Sequence, residues 1–339
     1  MTTSQKTLSL ALQGGGAHGA FTWGVIDGLL DDGRVKFDAI SGTSAGAMNA
    51  VVMADGMARG GVKGARRRME EFWHAVSREG GLMSRTRSLL EPILSFWELH
   101  GFDPADFAAS IRDFTSPYSF NPLNINPLKE VVGDLIDFEK VRACRELRLF
   151  IAATNVRSGK IKVFSGAEIT EEALLASACL PYLFQAVEVG GEFYWDGGFM
   201  GNPPLFPLFD LPGTEDIMLV QVNPIARDEV PRTAHAIVER MSEITFNSSL
   251  LREFRAIDFV NRLMAESRLD PTHYRANRLH RIDAGQALAK YTAATKLDTS
   301  WSFFRELHRA GHLAATEWLK ENYEAIGVRA TLDLRAAFM

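Results

Sequence analysis

Gly42-Thr43-Ser44-Ala45-Gly46 leaves the backbone fewer choices than any other segment of this chain. It follows Phe37-Asp38-Ala39-Ile40-Ser41, a stretch of strand character, and opens a run rich in Ala, Met and Val with helical character. A chain passing from strand to helix in so few residues must turn sharply. Small residues flank the serine because nothing larger fits. Such a turn lifts a hydroxyl above a sheet edge with a helix N-terminus behind it, the sequence form of a nucleophile elbow. A glycine-rich turn with a helix-capping serine satisfies the same pattern, so the segment alone leaves both readings open.

The flanking pattern sets the fold class. Leu8, Leu10 and Leu12 alternate with small or polar residues and predict a strand over 7–13. Phe21, Val25, Ile26, Leu29 and Leu30 form an apolar stripe and predict a helix over 17–30. A strand over 35–41 and helices over 45–57 and 62–76, separated by Gly60-Gly61, follow. This β-α-β-α start implies an α/β fold with a mostly parallel sheet and helices on its faces. The sheet is expected to resume at 148–154, 160–165, 193–195, 216–222 and 273–282. Helices are expected at 170–177, capped by Thr170, at 231–268, opened by Pro231, and at 301–323. Between them, 77–127 is irregular and rich in proline and aromatics, including Phe96, Trp97, Phe102, Phe107, Phe114, Tyr118 and Phe120. Short helical pieces are expected there at 89–99 and 104–114, in a lid-like insertion or a cap over one sheet edge.

With 339 residues the chain can bury the core of one large domain, or of one domain with an appended subdomain. A net charge of −5 gives no support to nucleic-acid binding. Arg66-Arg67-Arg68 is expected to be a solvated helix face. Cys144 and Cys179 are too few for a disulfide scaffold and are expected to be reduced and buried. The short polar start lacks signal-peptide character, and no run of 18 apolar residues occurs. A cytoplasmic location is the expectation, with peripheral membrane contact left open.

Gly14-Gly15-Gly16-Ala17-His18-Gly19 follows the first predicted strand and satisfies G-x-G-x-x-G, which makes a dinucleotide-binding turn a rival reading. Two observations weigh against it. A ribose-binding acid belongs at the end of the second strand, about 20 residues on, whereas Asp38 opens that strand and Ser41 closes it. That strand also runs straight into the Gly42–Gly46 turn, a second tight glycine turn that a dinucleotide site does not need. Both turns fall at carboxyl ends of parallel strands, so a hydroxyl and a loop of free N–H groups can face one another. That pairing is an attacking group plus an oxyanion hole, with the N–H groups around Gly15, Gly16 and Ala17 as natural donors.

A serine nucleophile needs a proton acceptor. None of the eight histidines lies in an obvious post-strand motif late in the chain. His18 sits inside the glycine loop, where a helix N-terminus disfavours its cation, and a loop role suits it better than that of base. His308 and His312 are four apart but lack the Glu of an HExxH metal motif. Asp196, in Tyr194-Trp195-Asp196-Gly197-Gly198, follows a short strand and precedes two glycines. A carboxylate held at a sheet end can serve as the base, although Asp-Gly-Gly is also an ordinary turn.

Taken together, these segments resemble the patatin-like phospholipases, lipid acyl hydrolases with a Ser-Asp dyad. Carrying the resemblance are Gly14 to Gly19, Gly42 to Gly46, Ala176-Ser177-Ala178-Cys179-Leu180-Pro181, Asp196 to Gly198 and Asn202-Pro203-Pro204, in that order over residues 7–223. The resemblance implies a three-layer α/β/α core over 7–223, with 224–339 as a mainly helical C-terminal extension packed on it. It implies Ser44 as nucleophile, Asp196 as general base, and an oxyanion hole from Gly14, Gly15, Gly16 and Ala17. Gly42, Gly46, Gly197 and Gly198 would be supporting turn residues. No metal and no cofactor are implied. His18 departs from the family, which commonly carries Arg or Lys there. The implied activity is release of a fatty acid from a phospholipid, lysophospholipid or simpler lipid ester. Acyl transfer by the same dyad, or lipid binding without catalysis, are the alternatives. Ile237, Met241, Ile244, Phe254, Ile257, Val260 and Leu263 recur at helical spacing in the extension, which suits core packing, a homodimer contact or a membrane-facing surface.

Overall fold

The computed structural model describes residues 5–77, 116–291 and 293–338. The helical pieces expected at 89–99 and 104–114, and most of the aromatics of that insertion, lie outside the described residues. Strand β1 (Lys6–Leu12) leads through the glycine loop into α1 (Gly19–Asp32). Strand β2 (Val35–Thr43) leads into α2 (Ala45–Val76). The two helices expected at 45–57 and 62–76 form one element bent where Gly60 and Gly61 leave helical geometry, Gly61 at φ 58°. Two short helices that the sequence pattern did not signal follow, α3 (Pro127–Leu135) and α4 (Phe138–Ala143). Asn126 and Asp137 cap them, each accepting a backbone N–H.

Strands β3 (Arg148–Asn155) and β4 (Ile161–Ser165) form an antiparallel pair. Helix α5 (Glu171–Ser177) begins at Thr170, whose hydroxyl caps it as expected. Strands β5 (Val187–Val189), β6 (Glu192–Asp196), β7 (Asp216–Gln221) and β8 (Arg278–Asp283) complete the sheet. Its order is β5-β6-β3-β2-β1-β7-β8, with β4 paired to β3. The run β3-β2-β1-β7-β8 is parallel, and the antiparallel strands lie at the β3 side. The late strand is shorter than the expected 273–282. Helix α6 (Ala234–Ala265) begins after Thr233, whose side chain caps it, so Pro231 precedes the helix rather than opening it. Helix α7 (Trp301–Asn322) is the last long element.

The two-residue period of the strands divides the core into two layers. Leu8, Leu10, Leu12, Met218 and Val220 pack toward α1, α2 and α7. Ala11, Ala39, Ile217 and Leu219 pack toward Leu250, Phe254 and Ile257 of α6. The result is a three-layer α/β/α body. Helix α7 lies along α1 at backbone distance, because a side chain at Gly24 would meet the His308 carbonyl and one at Gly311 the Phe21 carbonyl. Asp27 of α1 accepts from His308 of α7 at 3.2 Å and from Arg66 of α2 at 2.6 Å. These partners outweigh the burial that opposes its charge and hold its pKa at about 2.

Two expectations are corrected here. Of the Arg66-Arg67-Arg68 run only Arg67 is the expected solvated residue; Arg66 binds Asp27 and Asp31, and Arg68 binds Asp55 and Glu71. Cys144 is only partly buried, while Cys179 is buried, and both are free thiols. Along α6 the apolar residues split: Phe254 and Ile257 are in the core, but Ile237, Met241 and Ile244 are exposed.

Candidate active site

The sheet register brings Ser44 and Asp196 to one place. Thr43 pairs with Ala152 on β3, and the next residue of β3, Ala153, pairs with Asp196 on β6. Ser44 leaves β2 level with Ala153, so the two residues straddle a single strand at its carboxyl end. Ser44 adopts φ 54° and ψ −122°, a left-handed conformation for a non-glycine residue. Holding it there costs about 1–3 kcal/mol, which the surrounding contacts must outweigh. Those contacts are specific. The Ser44 N–H donates to Ser177 Oγ at 2.9 Å, and its carbonyl accepts from the Met48 N–H at 3.0 Å. One residue earlier, Thr43 Oγ1 donates to the Gly201 carbonyl at 2.7 Å. Gly46 abuts the Leu12 carbonyl so closely that any side chain would collide with it, and Gly42 faces Gly46 in the same way. The flanking glycines are therefore required by close approach.

Asp196 is 1% exposed. Its Oδ1 accepts the Gly198 N–H at 2.7 Å, which orders the Gly197-Gly198 turn. Its backbone carbonyl accepts from Thr154 Oγ1 at 2.9 Å. Oδ2 is buried with no partner at full hydrogen-bond geometry among the described residues. Burial raises the carboxyl pKa to about 6, and the Gly198 N–H and the nearby Ser44 hydroxyl hold it from rising further. The Ser44 hydroxyl thus lies within electrostatic reach of a carboxylate that has one uncommitted oxygen.

The glycine loop closes a third side. A Cβ on Gly14 would sit 2.7 Å from Ser44 Cβ, so only glycine lets the loop approach the serine this closely. The Gly14 N–H donates to Asn202 Oδ1 at 2.7 Å, and its carbonyl accepts from Asn223 Nδ2 at 2.7 Å. Both polar groups of Gly14 are therefore committed. Gly14 shapes the loop, and its amide is not open to a ligand while that bond stands. Gly15 is half-buried and Gly16 exposed, and among the described residues their N–H groups have no protein acceptor. Gln13 underlies the loop: its side chain accepts from the Val222 and Asn223 N–H groups and donates to Asn247 Oδ1 and the Asn202 carbonyl.

His18 is buried, and its Nε2 pairs with Thr295 Oγ1 at 2.8 Å. Burial, and then the Lys296 ammonium, lower its pKa to about 3, so the ring is neutral. Its bond to Thr295 gives it a loop role. Beyond His18 and Lys296 opens a cavity of about 1260 Å³, bordered by Val222, Arg227, Glu243 and Tyr291. Ser44 and Asp196 do not line it.

The sequence motifs contained Ser177 and Asn202, but nothing in them told that one would anchor the serine amide and the other the Gly14 amide. Asn223 and Lys296 carried no signal at all, because each reaches the loop from a distant part of the chain.

Among solved structures, VipD from Legionella pneumophila is similar at 16% identity, with 94% of this chain and 68% of that one covered and a TM-score of 0.46. The type III effector ExoU of Pseudomonas aeruginosa is similar at 14% identity, covering 94% of this chain and 54% of ExoU, with a TM-score of 0.36. The chain thus spans about half the length of ExoU. No curated protein matches the sequence. The model of the patatin-like phospholipases matches residues 10–209, more than half of the chain, and on that match the protein belongs to the patatin-like phospholipase family.

Proposed function

We propose that the protein is a serine acyl-ester hydrolase acting on lipid esters, with Ser44 as nucleophile and Asp196 as general base. One observation carries this reading: a serine held at φ 54° at a strand-to-helix turn, beside a buried carboxylate whose pKa is raised to about 6. A structural turn has no need of either feature. A base that titrates near 6 is ionised at neutral pH and still basic enough to accept a proton in the transition state.

In this mechanism the Ser44 Oγ attacks the ester carbonyl while Asp196 takes its proton. The carbonyl oxygen becomes an oxyanion, held by the N–H groups at Gly15 and Gly16, with Ala17 beside them and Gly14 fixing the loop. The tetrahedral intermediate collapses, and protonated Asp196 gives its proton to the departing alcohol. The ionised carboxylate then activates a water that attacks the acyl-serine. A second collapse releases the fatty acid and restores Ser44. No histidine enters the cycle. Among the described residues no helix is long and apolar enough to cross a membrane, so a lipid substrate would be met at a surface contact or in dispersed form.

The test is a panel of phospholipids, lysophospholipids and simple lipid esters, with products identified by mass spectrometry, run beside Ser44→Ala and Asp196→Asn. Release of fatty acid by the wild type and its loss in both folded variants is expected. Full activity in both variants would remove the assigned dyad. Products acylated on an added alcohol would point instead to acyl transfer.

A further inference from the structure

We infer that Lys296, from the segment before α7, is a positioning residue for the glycine loop, acting through Asn223 on Gly14. The inference rests on the assignment of that loop as an oxyanion hole, and it extends the site to residues well beyond the matched region at 10–209.

A chain of contacts carries it. Lys296 Nζ donates to Asn223 Oδ1 at 2.8 Å. That bond fixes which way the Asn223 amide faces, so its Nδ2 donates to the Gly14 carbonyl at 2.7 Å and to Gln13 Oε1 at 3.2 Å. An Asn223 amide turned the other way would set its NH2 against an ammonium, which has no acceptor. Gly14 in turn lies against Ser44. The same segment touches the loop twice more. Thr295 Oγ1 pairs with His18 Nε2, and the Lys296 carbonyl packs where a side chain on Gly16 would stand. Gly16 itself adopts φ 57°. Direct contacts on Gly16 and His18, and the bond to Asn223 that reaches Gly14, thus come from two neighbouring residues.

The chemistry of Lys296 argues for a task. Lys296 is half-buried as a residue, its ammonium is enclosed, and burial lowers its pKa. Glu243 and Glu239 favour its charge at a distance, whereas Arg227 opposes it. Glu243 is itself bonded to Arg227 and Arg240. An enclosed ammonium that donates to a neutral amide is an expensive way to fill space, and an apolar residue of similar length would fill it at lower cost. What the ammonium adds is a fixed orientation for Asn223.

The test compares Lys296→Met with the wild type by amide hydrogen exchange and by steady-state kinetics on a soluble chromogenic acyl ester. Methionine keeps the stem and the backbone contact to Gly16. Exchange of the buried Gly14 amide, bonded to Asn202, should accelerate while β1 and α1 hold their protection. The kcat should fall about 10- to 100-fold with KM nearly constant, since small displacements of catalytic groups cost rate rather than binding. Asn223→Asp keeps an acceptor for Lys296 but loses the donor to the Gly14 carbonyl, and it should show the same pattern. Unchanged loop exchange in Lys296→Met overturns the inference whatever happens to activity. A global loss of protection in Lys296→Met also overturns it, because the lysine would then serve folding at large. Faster loop exchange combined with full activity in Ser44→Ala would leave the clamp standing and remove the hydrolase mechanism instead.

Discussion

Asp196→Asn should make the protein more stable at neutral pH while abolishing hydrolysis. The wild-type carboxyl titrates at about 6 in the fold against 3.8 as its ordinary value. Between those values the native state holds a proton that the unfolded chain has lost, so stability falls as pH rises from about 4 to about 6 and then levels off. A shift of two units corresponds to about 3 kcal/mol of penalty once both states are ionised. Asparagine keeps an oxygen for the Gly198 N–H and places an NH2 where the uncommitted Oδ2 stands, with no charge to bury. The variant's advantage should therefore be full at pH 8 and about 1–1.5 kcal/mol smaller at pH 5, where most of the native carboxyl is protonated. Urea denaturation of both proteins at pH 5, 6.5 and 8 reads the difference directly, provided the unfolding slopes match. A variant that is no more stable at pH 8, or an advantage that does not change with pH, would refute the account of Asp196 as a desolvated base.

The same titration predicts the kinetics: kcat/KM for ester hydrolysis should fall below about pH 6 as the base is protonated, and a pH profile flat down to 4.5 would contradict it. Ser44→Ala should lower hydrolysis by about 10³-fold or more while leaving the far-ultraviolet spectrum unchanged. Ser177→Ala removes the acceptor of the Ser44 N–H and should cost about 1–3 kcal/mol in thermal or urea unfolding, with a lower kcat. Gly46→Ala forces a methyl group onto the Leu12 carbonyl, and a loss of at least about 1–3 kcal/mol, or failure to express as folded protein, is expected. Glu253, raised by burial to about 7, holds the Leu205 and Phe206 N–H groups. Its native pKa lies above its ordinary value, so stability contributed at low pH is lost as pH rises through about 7. Glu253→Gln should remove that part of the pH dependence in a melting series.

Much of the fold was legible because its signals are local. Leu8, Leu10 and Leu12 alternate because a strand alternates, and the stripe from Phe21 to Leu30 has helical spacing because α1 lies between the sheet and α7. The glycines at 42 and 46 record backbone contacts that admit no side chain. Helices α3 and α4 give little sequence signal because they are short and rest on the capping side chains of Asn126 and Asp137. Pro231 suits a first helical turn, but α6 starts later because the Thr233 hydroxyl captures the Ala236 N–H instead.

By itself, the sequence determined the fold class, the turn that presents Ser44 and the residue types able to act beside it. These follow from periodicity and from steric limits within a few residues. It could not say that Asp196 lies opposite Ala153, that burial raises its carboxyl to about 6, or that the Gly14 amide is already committed to Asn202. It also gave no sign that Lys296 reaches the loop through Asn223. Strand register, desolvation and hydrogen bonds between residues far apart in the chain exist only once the layers have packed, and tertiary structure alone decides them.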